Sequence, residues 1–265
     1  MEPMVRSGTA RLVLVVAAFV VLPGLAPADA LALGDWVGVE PQLWRHSFHG
    51  SAAIDDGGAA GTTFDFQDTL GIEEDDSARA ARVWFRLGKS RLFLDFADSS
   101  RDGSATLGAD LDFHGVTFNS GETMTTDLDV RLIEATYRYT FNLKLVEFGV
   151  GAGLNLAQFD MELVGSSTGT EQFDEKVPYP TLSAAVALKP FPGFHIRAEV
   201  NGVSVKVSGN DVDILDARAQ IEYYFAHVVG LYAGYRSYRF NIDAEDFGLV
   251  DATAKGPYFG FGLKF

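Results

Sequence analysis

The feature that most constrains this chain is a period of two that begins at Trp36 and recurs to the last residue. Between Leu145 and Leu156, Val146, Phe148, Val150, Ala152, Leu154 and Leu156 fall on one face, and Glu147, Gly149, Gly151, Gly153 and Asn155 on the other. A strand places alternate side chains on opposite faces, whereas a helix needs apolar residues three and four apart and is weakened by repeated glycine. The same alternation runs through Ala81 to Leu87, Arg91 to Ala97, Thr181 to Lys189, Phe194 to Asn201 and Ala217 to Phe225. In each, one face is apolar and the other holds charges or small residues. The chain therefore reads as all-β and antiparallel.

Composition narrows the class. At 265 residues with 47% hydrophobic and 22% charged residues, the mean hydropathy is only +0.08. A helical membrane protein of this length carries several apolar runs of about 20 residues. The only long run here is Leu12 to Leu22, preceded by Arg6 and Arg11 and followed by Pro23-Gly24 and the small-residue sites Ala28-Asp29-Ala30 and Ala30-Leu31-Ala32. That pattern predicts a secretory signal peptide over residues 1–30, cleaved after Ala30 or Ala32, with an uncleaved anchor helix as the alternative. Residues 31–265 are then one β domain. A transmembrane barrel hides its hydrophobicity, because lipid-facing residues alternate with polar ones facing the lumen. The absence of cysteine excludes a disulfide-stapled fold and thiolate chemistry in an exported chain. A net charge of −15 argues against nucleic acid as a partner.

Connection lengths alternate as well. Tight turns are expected at Gly88 to Ser90, Asn142 to Lys144, Pro190 to Gly193 and Ala226 to Val228. Longer links are expected near His49 to Ala78, Thr106 to Met124, Ala157 to Pro178, Ser208 to Asp213 and Asn241 to Asp251. Short turns on one side and long loops on the other suit an antiparallel transmembrane barrel of ten strands, with eight as the runner-up. A soluble sandwich also alternates, but does not require that strict alternation of connections. Two irregularities are expected. Pro41 interrupts the strand from Trp36 to Phe48. Leu128, Val130 and Leu132 lie out of phase with Ile133, Ala135, Tyr137, Tyr139 and Phe141, so a bulge occurs there or the strand rises out of the membrane.

The chain closes on Pro257-Tyr258-Phe259-Gly260-Phe261-Gly262-Leu263-Lys264-Phe265, with Phe259, Phe261, Leu263 and Phe265 on one face. A terminal Phe on an alternating aromatic strand resembles the assembly signal of bacterial outer-membrane β-barrels. Such a strand must pair with the first so that no backbone edge meets lipid. Thr62-Thr63-Phe64-Asp65-Phe66-Gln67-Asp68-Thr69-Leu70-Gly71-Ile72 is similar to the first-loop segment of a group of small uncharacterised outer-membrane proteins with a porin-like barrel domain. Asp102 to Leu107 and Phe113 to Phe118 fit the same group. The resemblance implies location in the outer membrane of a Gram-negative bacterium. It also implies contact with outer-membrane lipid, lipopolysaccharide and the outer-membrane assembly machinery; it brings no activity and leaves the oligomeric state open.

On the polar faces, Arg82, Arg86, Arg138, Lys189, Arg197, Arg218 and Arg236 oppose Glu40, Asp95, Glu134, Glu147, Glu199 and Glu222. Buried charges are tolerable only when paired, and ten strands enclose little more than their own side chains. The leading expectation is a plugged, salt-bridged lumen in a non-enzymatic scaffold, structural or surface-binding in role; a narrow ion or small-solute channel is the alternative. Acid gathers in the expected loops at Asp55, Asp56, Glu73, Glu74, Asp75, Asp76, Asp160, Glu162, Asp174, Glu175, Asp243, Glu245 and Asp246. A solvated acidic rim is the simpler reading. Ca²⁺ or Mg²⁺ bridging these loops to lipopolysaccharide phosphates is the other, and no further cofactor is expected. The tyrosines and phenylalanines at Tyr137, Tyr139, Phe141, Tyr223, Tyr224, Phe225, Tyr232, Tyr235 and Tyr258 are expected to form interfacial girdles.

A hydrolase is the remaining alternative. Asp110, Asp112 and His114 offer carboxylates and an imidazole on one loop, as omptin proteases do, yet a second Asp-x-His pair is missing. His49-Gly50-Ser51 matches the His-x-Ser spacing of barrel lipid A deacylases, at the wrong end of the chain. No catalytic or metal-binding residue is assigned on these grounds.

Overall fold

The computed structural model describes residues 36–56, 60–207, 210–225, 228–244 and 248–265; the expected signal peptide lies outside them, as do Glu245 and Asp246. The alternating segments become strands β1 (Val37–Ile54), β2 (Phe64–Asp65), β3 (Asp75–Leu87), β4 (Ser90–Thr106), β5 (Leu111–Phe113), β6 (Val116–Phe118), β7 (Thr123–Leu143), β8 (Val146–Gly165), β9 (Gly169–Phe191), β10 (Phe194–Val207), β11 (Asn210–Phe225), β12 (Val229–Ala244) and β13 (Gly248–Lys264). Ten of them form one antiparallel wall in the order β1-β3-β4-β7-β8-β9-β10-β11-β12-β13, and β13 pairs back onto β1. The remaining three, β2, β5 and β6, belong to two excursions at one end.

The wall is steeply sheared. Partners followed from Val37 run through Phe85, Leu92, Tyr137, Ala152, Leu182, Gly202, Leu215, Arg239 and Thr253, and return to β1 at His49, twelve residues beyond the start. Stagger of this size tilts the strands by about 40° and leaves a narrow interior that side chains can fill.

Outward faces of the lower strand segments are apolar and exposed, among them Leu154 and Leu182 at 73% and 76%, with Phe148, Ile221, Leu231, Phe259 and Phe261. This belt is what a hydrocarbon environment selects. Tyr137, Tyr139, Phe141, Tyr223, Phe225 and Tyr235 are exposed in it, whereas Tyr224, Tyr232 and Tyr258 are buried inside the barrel. Their inward position is made possible by small neighbours. A Cβ on Gly234 would lie 2.6 Å from the Tyr258 ring, and one on Gly38 would lie 2.3 Å from the Trp84 indole.

Two further sequence expectations change, and one left open between two alternatives is decided. The register of β1 runs unbroken through Pro41 against β3 and is the same on both sides of it against β13; the shift falls instead between Phe194 and Ile196, where β10 meets β9. β7 keeps one register against both neighbours along its length. The phase change at Leu128, Val130 and Leu132 is therefore no bulge: the strand leaves the belt, and its inward face turns apolar as its outward face turns polar. Lastly, Ala157 to Pro178 is strand apart from a tight turn at Ser166 to Thr168, and most of Asn241 to Asp251 is strand, so Asp160, Glu162, Asp174 and Glu175 stand on β8 and β9 rather than in a loop. The side away from Trp36 and Phe265 does carry the longer connections, but among the described residues only two of them, within 55–74 and 107–122, leave the wall as loops.

Candidate functional site

The interior has two storeys. Inside the belt, charged residues from opposite walls converge. Arg82 of β3 bonds Asp95 of β4 at 2.9 Å and Glu199 of β10 at 2.5 Å; Arg138 of β7 bonds the other Glu199 oxygen at 2.6 Å. Arg218 of β11 reaches Asp95 at 2.7 Å, Glu134 at 2.6 Å and Asp216 at 2.8 Å, and Arg236 of β12 binds Asp216 at 2.8 Å and Glu134 at 3.2 Å. Nearer the turns, Arg197 pairs with Glu222 at 3.0 Å and Lys189 with Glu147 at 2.9 Å, while Glu40 accepts a hydrogen bond from the Trp84 indole at 3.0 Å. Ser183 and Asn201 take remaining Arg138 donors. Guanidinium forks and carboxylates matched in this way satisfy most of each other's hydrogen-bonding capacity.

One residue expected in this network stands apart. Arg86 sits at the mouth and donates from Nε to the Gly88 carbonyl in the turn, at 3.2 Å; at the strand end its long side chain reaches solvent more easily than a buried carboxylate. Two members were missed. Asp216, at 2% exposure, joins Arg218 to Arg236, and lay one residue before the stretch read as strand. Arg91 bonds Glu147 at 2.8 Å; it shares a face with Asp95, a signal the alternation already carried. Phe259, Phe261, Leu263 and Phe265 stand on the outward face of the closing edge, with Val39 opposite Leu263 and Leu43 opposite Phe259.

Above the belt the lumen turns apolar. Trp44, Phe48, Leu128, Phe159, Met161, Phe240 and Val250 surround a chamber of about 90 Å³. The two loops close it from above. From the first, Phe64, Phe66, Leu70 and Ile72 are buried, and from the second, Leu107, Leu111, Phe113 and Phe118. Phe66 N donates to the Gly50 carbonyl and Gln67 Nε2 to that of Phe48, while the Asp65 carboxylate caps Gln67 N and Asp68 N. The loops hold each other through Thr62 N to the Asp112 carbonyl at 2.8 Å and Asp112 N to Thr62 Oγ1 at 3.0 Å. The segment resembling the first loop of small outer-membrane proteins is thus a lid, and its alternating Phe64 and Phe66 were the sequence signal for it.

The residues weighed for a hydrolase are hydrogen-bonded within the loops and to the strands beside them. Asp110 accepts from Ser120 N, Asp112 from Thr117 and Thr62, and His114 pairs with Glu171 of β9 at 2.9 Å. His49 bonds Glu74 at 2.9 Å, and Ser51 lies in the β1 ladder opposite Asp251 and Asp65. At the base of the second loop, the Glu122 carboxylate accepts from the Ser167 and Thr168 hydroxyls, and the Ser167 bond holds it below its usual range. Among the described residues no cluster of three or more His, Asp or Glu has the geometry of a metal site.

Among solved structures, the fold is similar to the outer membrane protease OmpT from Escherichia coli, with 9% identity over 87% of this chain and 97% of that one and a TM-score of 0.60. Neisserial surface protein A is also similar, with 15% identity, 86% and 97% coverage and a TM-score of 0.36. The attachment invasion locus protein Ail of Yersinia pestis follows at 10% identity, 87% and 99% coverage and a TM-score of 0.36. No family model and no curated protein matches the sequence.

Proposed function

We propose that this protein, an integral β-barrel of the Gram-negative outer membrane, is a closed, non-enzymatic scaffold whose outer storey is its binding part. The observation that carries the reading is the ion-paired storey. Arginines from β3, β7, β11 and β12 meet carboxylates from β4, β7, β10 and β11 across the lumen, at 2.5–3.2 Å. An ion entering must displace a partner from a paired, dehydrated charge, at a cost of several kcal/mol. The outer storey adds a second seal of apolar side chains beneath two interlocked loops.

In this reading, lipid and lipopolysaccharide surround the barrel, and its acidic rim remains solvated or takes up Ca²⁺ or Mg²⁺ against lipopolysaccharide phosphates. Likeness in fold to a protease at 9% identity carries no activity to this chain. Planar-bilayer recording of the refolded protein is the test. The expected trace is silent at about ±100 mV in molar salt (about sevenfold above physiological ionic strength); discrete, ion-dependent steps favour the channel reading instead.

A further inference from the structure

The barrel wall is closed at every strand pair along its lower half, but not along its upper half. β9 and β10 pair from Phe191 and Phe194 up to Leu182 and Gly202, and there the ladder stops, although β9 continues to Gly169 and β10 to Val207. On its other side β9 stays paired with β8 from Gly169 to Leu188, without a register shift. The cause is in the sequence. Lys189 N donates to Leu145 O, towards β8. Successive N–H groups alternate sides in an antiparallel ladder, so even-numbered residues of β9 present their nitrogens to β10. Pro178 and Pro180 are even-numbered and have no N–H to give. Two consecutive donors towards β10 are therefore missing directly above the last paired residue.

The seam they leave is mainly apolar, with Ser204 and Asp213 at its edge. Val203 and Val205 of β10 point inward there, and Val205 is 40% exposed for want of a covering strand. A cleft of about 810 Å³ opens on the outer face of the wall at this height; Leu154 and Leu182 of the belt, Ser204 and Asp213 border it, and the inward Val203 and Ile214 form its floor. Leu182 stands nine residues above Phe191, about 22 Å up at a 40° tilt, near the outer limit of a ~25 Å apolar band. On the inner wall Val203 neighbours Ile214, and Ile214 neighbours Phe240, which lines the chamber. One layer of side chains separates cleft from chamber.

We propose that this seam is a lateral port through which a small uncharged apolar solute, dissolved in the outer leaflet, enters the chamber and binds there. The inference rests on the closed-barrel reading: the ion-paired storey blocks entry from below and the interlocked loops block it from above, which leaves the bilayer as the source. The chamber, about 90 Å³, suits a single ring or a short alkyl segment rather than a whole lipid chain; an apolar cavity of ~150 Å³ is known to stay dry and take up benzene. The prolines make the opening a built feature of the wall, since a ladder interrupted by chance keeps its donors.

The test uses the absence of cysteine from the chain. Met161→Cys places one thiol in the chamber wall. In phospholipid vesicles, its modification by benzyl methanethiosulfonate, which partitions into bilayers, is compared with that by the charged sulfonatoethyl reagent. Labelling by the benzyl reagent at least ten times faster than by the charged one is expected, slowed several-fold by benzene added to the bilayer. Adding Pro178→Thr and Pro180→Thr restores two donors and is expected to cut the benzyl rate at least tenfold. Val203→Trp, which fills the port without touching the ladder, is expected to do the same, and covers the case in which the proline variant fails to fold. Equal rates for the two reagents, no benzyl labelling, no protection by benzene, or a rate indifferent to port closure each overturn the proposal. Conductance in the same vesicles reads the parent proposal separately: ionic steps remove the closed-barrel reading, whereas failed labelling in a silent barrel removes the port alone.

Discussion

The inner and outer storeys of this barrel both fill a narrow lumen, but with opposite chemistry. Inside the belt the wall faces hydrocarbon, so its outward residues must be apolar and its inward residues carry the polar groups, which have to satisfy one another. Above the belt the wall faces water, the outward residues become Arg131, Asp129, Asp160 and Lys176, and the interior reverts to an ordinary hydrophobic core. The strands do not break where the environment changes. β7 carries Glu134 and Arg138 inward at one level and Leu128 and Leu132 inward at the next, on the same face. The difference teaches that the inward residues are set by the need to balance the surroundings, not by a fixed rule that a barrel lumen is polar.

The largest effect is expected where a storey depends on one residue. Arg218 touches Asp95, Glu134 and Asp216 at once, so Arg218→Ala leaves three buried carboxylates sharing only Arg82 and Arg236 and should cost about 3–5 kcal/mol. Urea unfolding in vesicles, followed by tryptophan emission, measures it; Arg86→Ala at the mouth is the control and should fall within about 0.5 kcal/mol of the parent. A loss from Arg218→Ala no larger than the control breaks the distinction between paired storey and exposed mouth.

The outer storey should respond to volume instead of charge. Phe66, at 4% exposure, packs its ring 5.2 Å from Phe48 and 5.6 Å from Phe64 beneath the lid. Phe66→Ala is expected to cost about 3 kcal/mol, felt first as faster proteolysis of the first loop while the belt stays protected. Simultaneous loss of protection in both storeys shows that they unfold as one unit and removes the energetic side of the comparison.

The smallest effect concerns pH. The Glu122 carboxylate is held below its usual range by the Ser167 hydroxyl. A depressed carboxylate pKa adds stability above the unfolded value, about 4.3, and that contribution is lost as pH falls through the folded value. Protection from hydrogen exchange at the base of the second loop, taken relative to the intrinsic rate, should therefore fall modestly below about pH 4, with Glu122→Gln removing that fall. An unchanged acid response in that variant assigns it to other groups.

Much of this was legible in the chain. Alternation from Val146 to Leu156 and its five counterparts marked the strands, and the polar residues opposite them were the right pool for the lumen. The pairings were not legible: Arg82 meets Glu199 across 117 positions of sequence, and nothing local marks that partner. Loop length misled for a physical reason. Polar residues such as Asp160 and Asp174 read as loop because strands above the belt carry charge on their water-facing side, the reverse of the pattern below. Conversely, Phe64, Phe66, Phe113 and Phe118 lay in segments read as loops because a two- or three-residue strand has too few alternations to register.

By itself, then, the sequence determined the all-β class, the apolar belt and a wall closing between Trp36 and Phe265, because these follow from a period of two that each segment carries alone; ten strands rather than eight was settled by the pairing. It also carried Pro178 and Pro180 in plain view. Only the tertiary structure decided what the lumen contains and where the wall opens. A stagger of twelve residues around the barrel sets which inward side chains share a level, and the hydrogen-bonding direction of β9 turns two ordinary prolines towards β10. Both are properties of register between strands, which no single strand encodes.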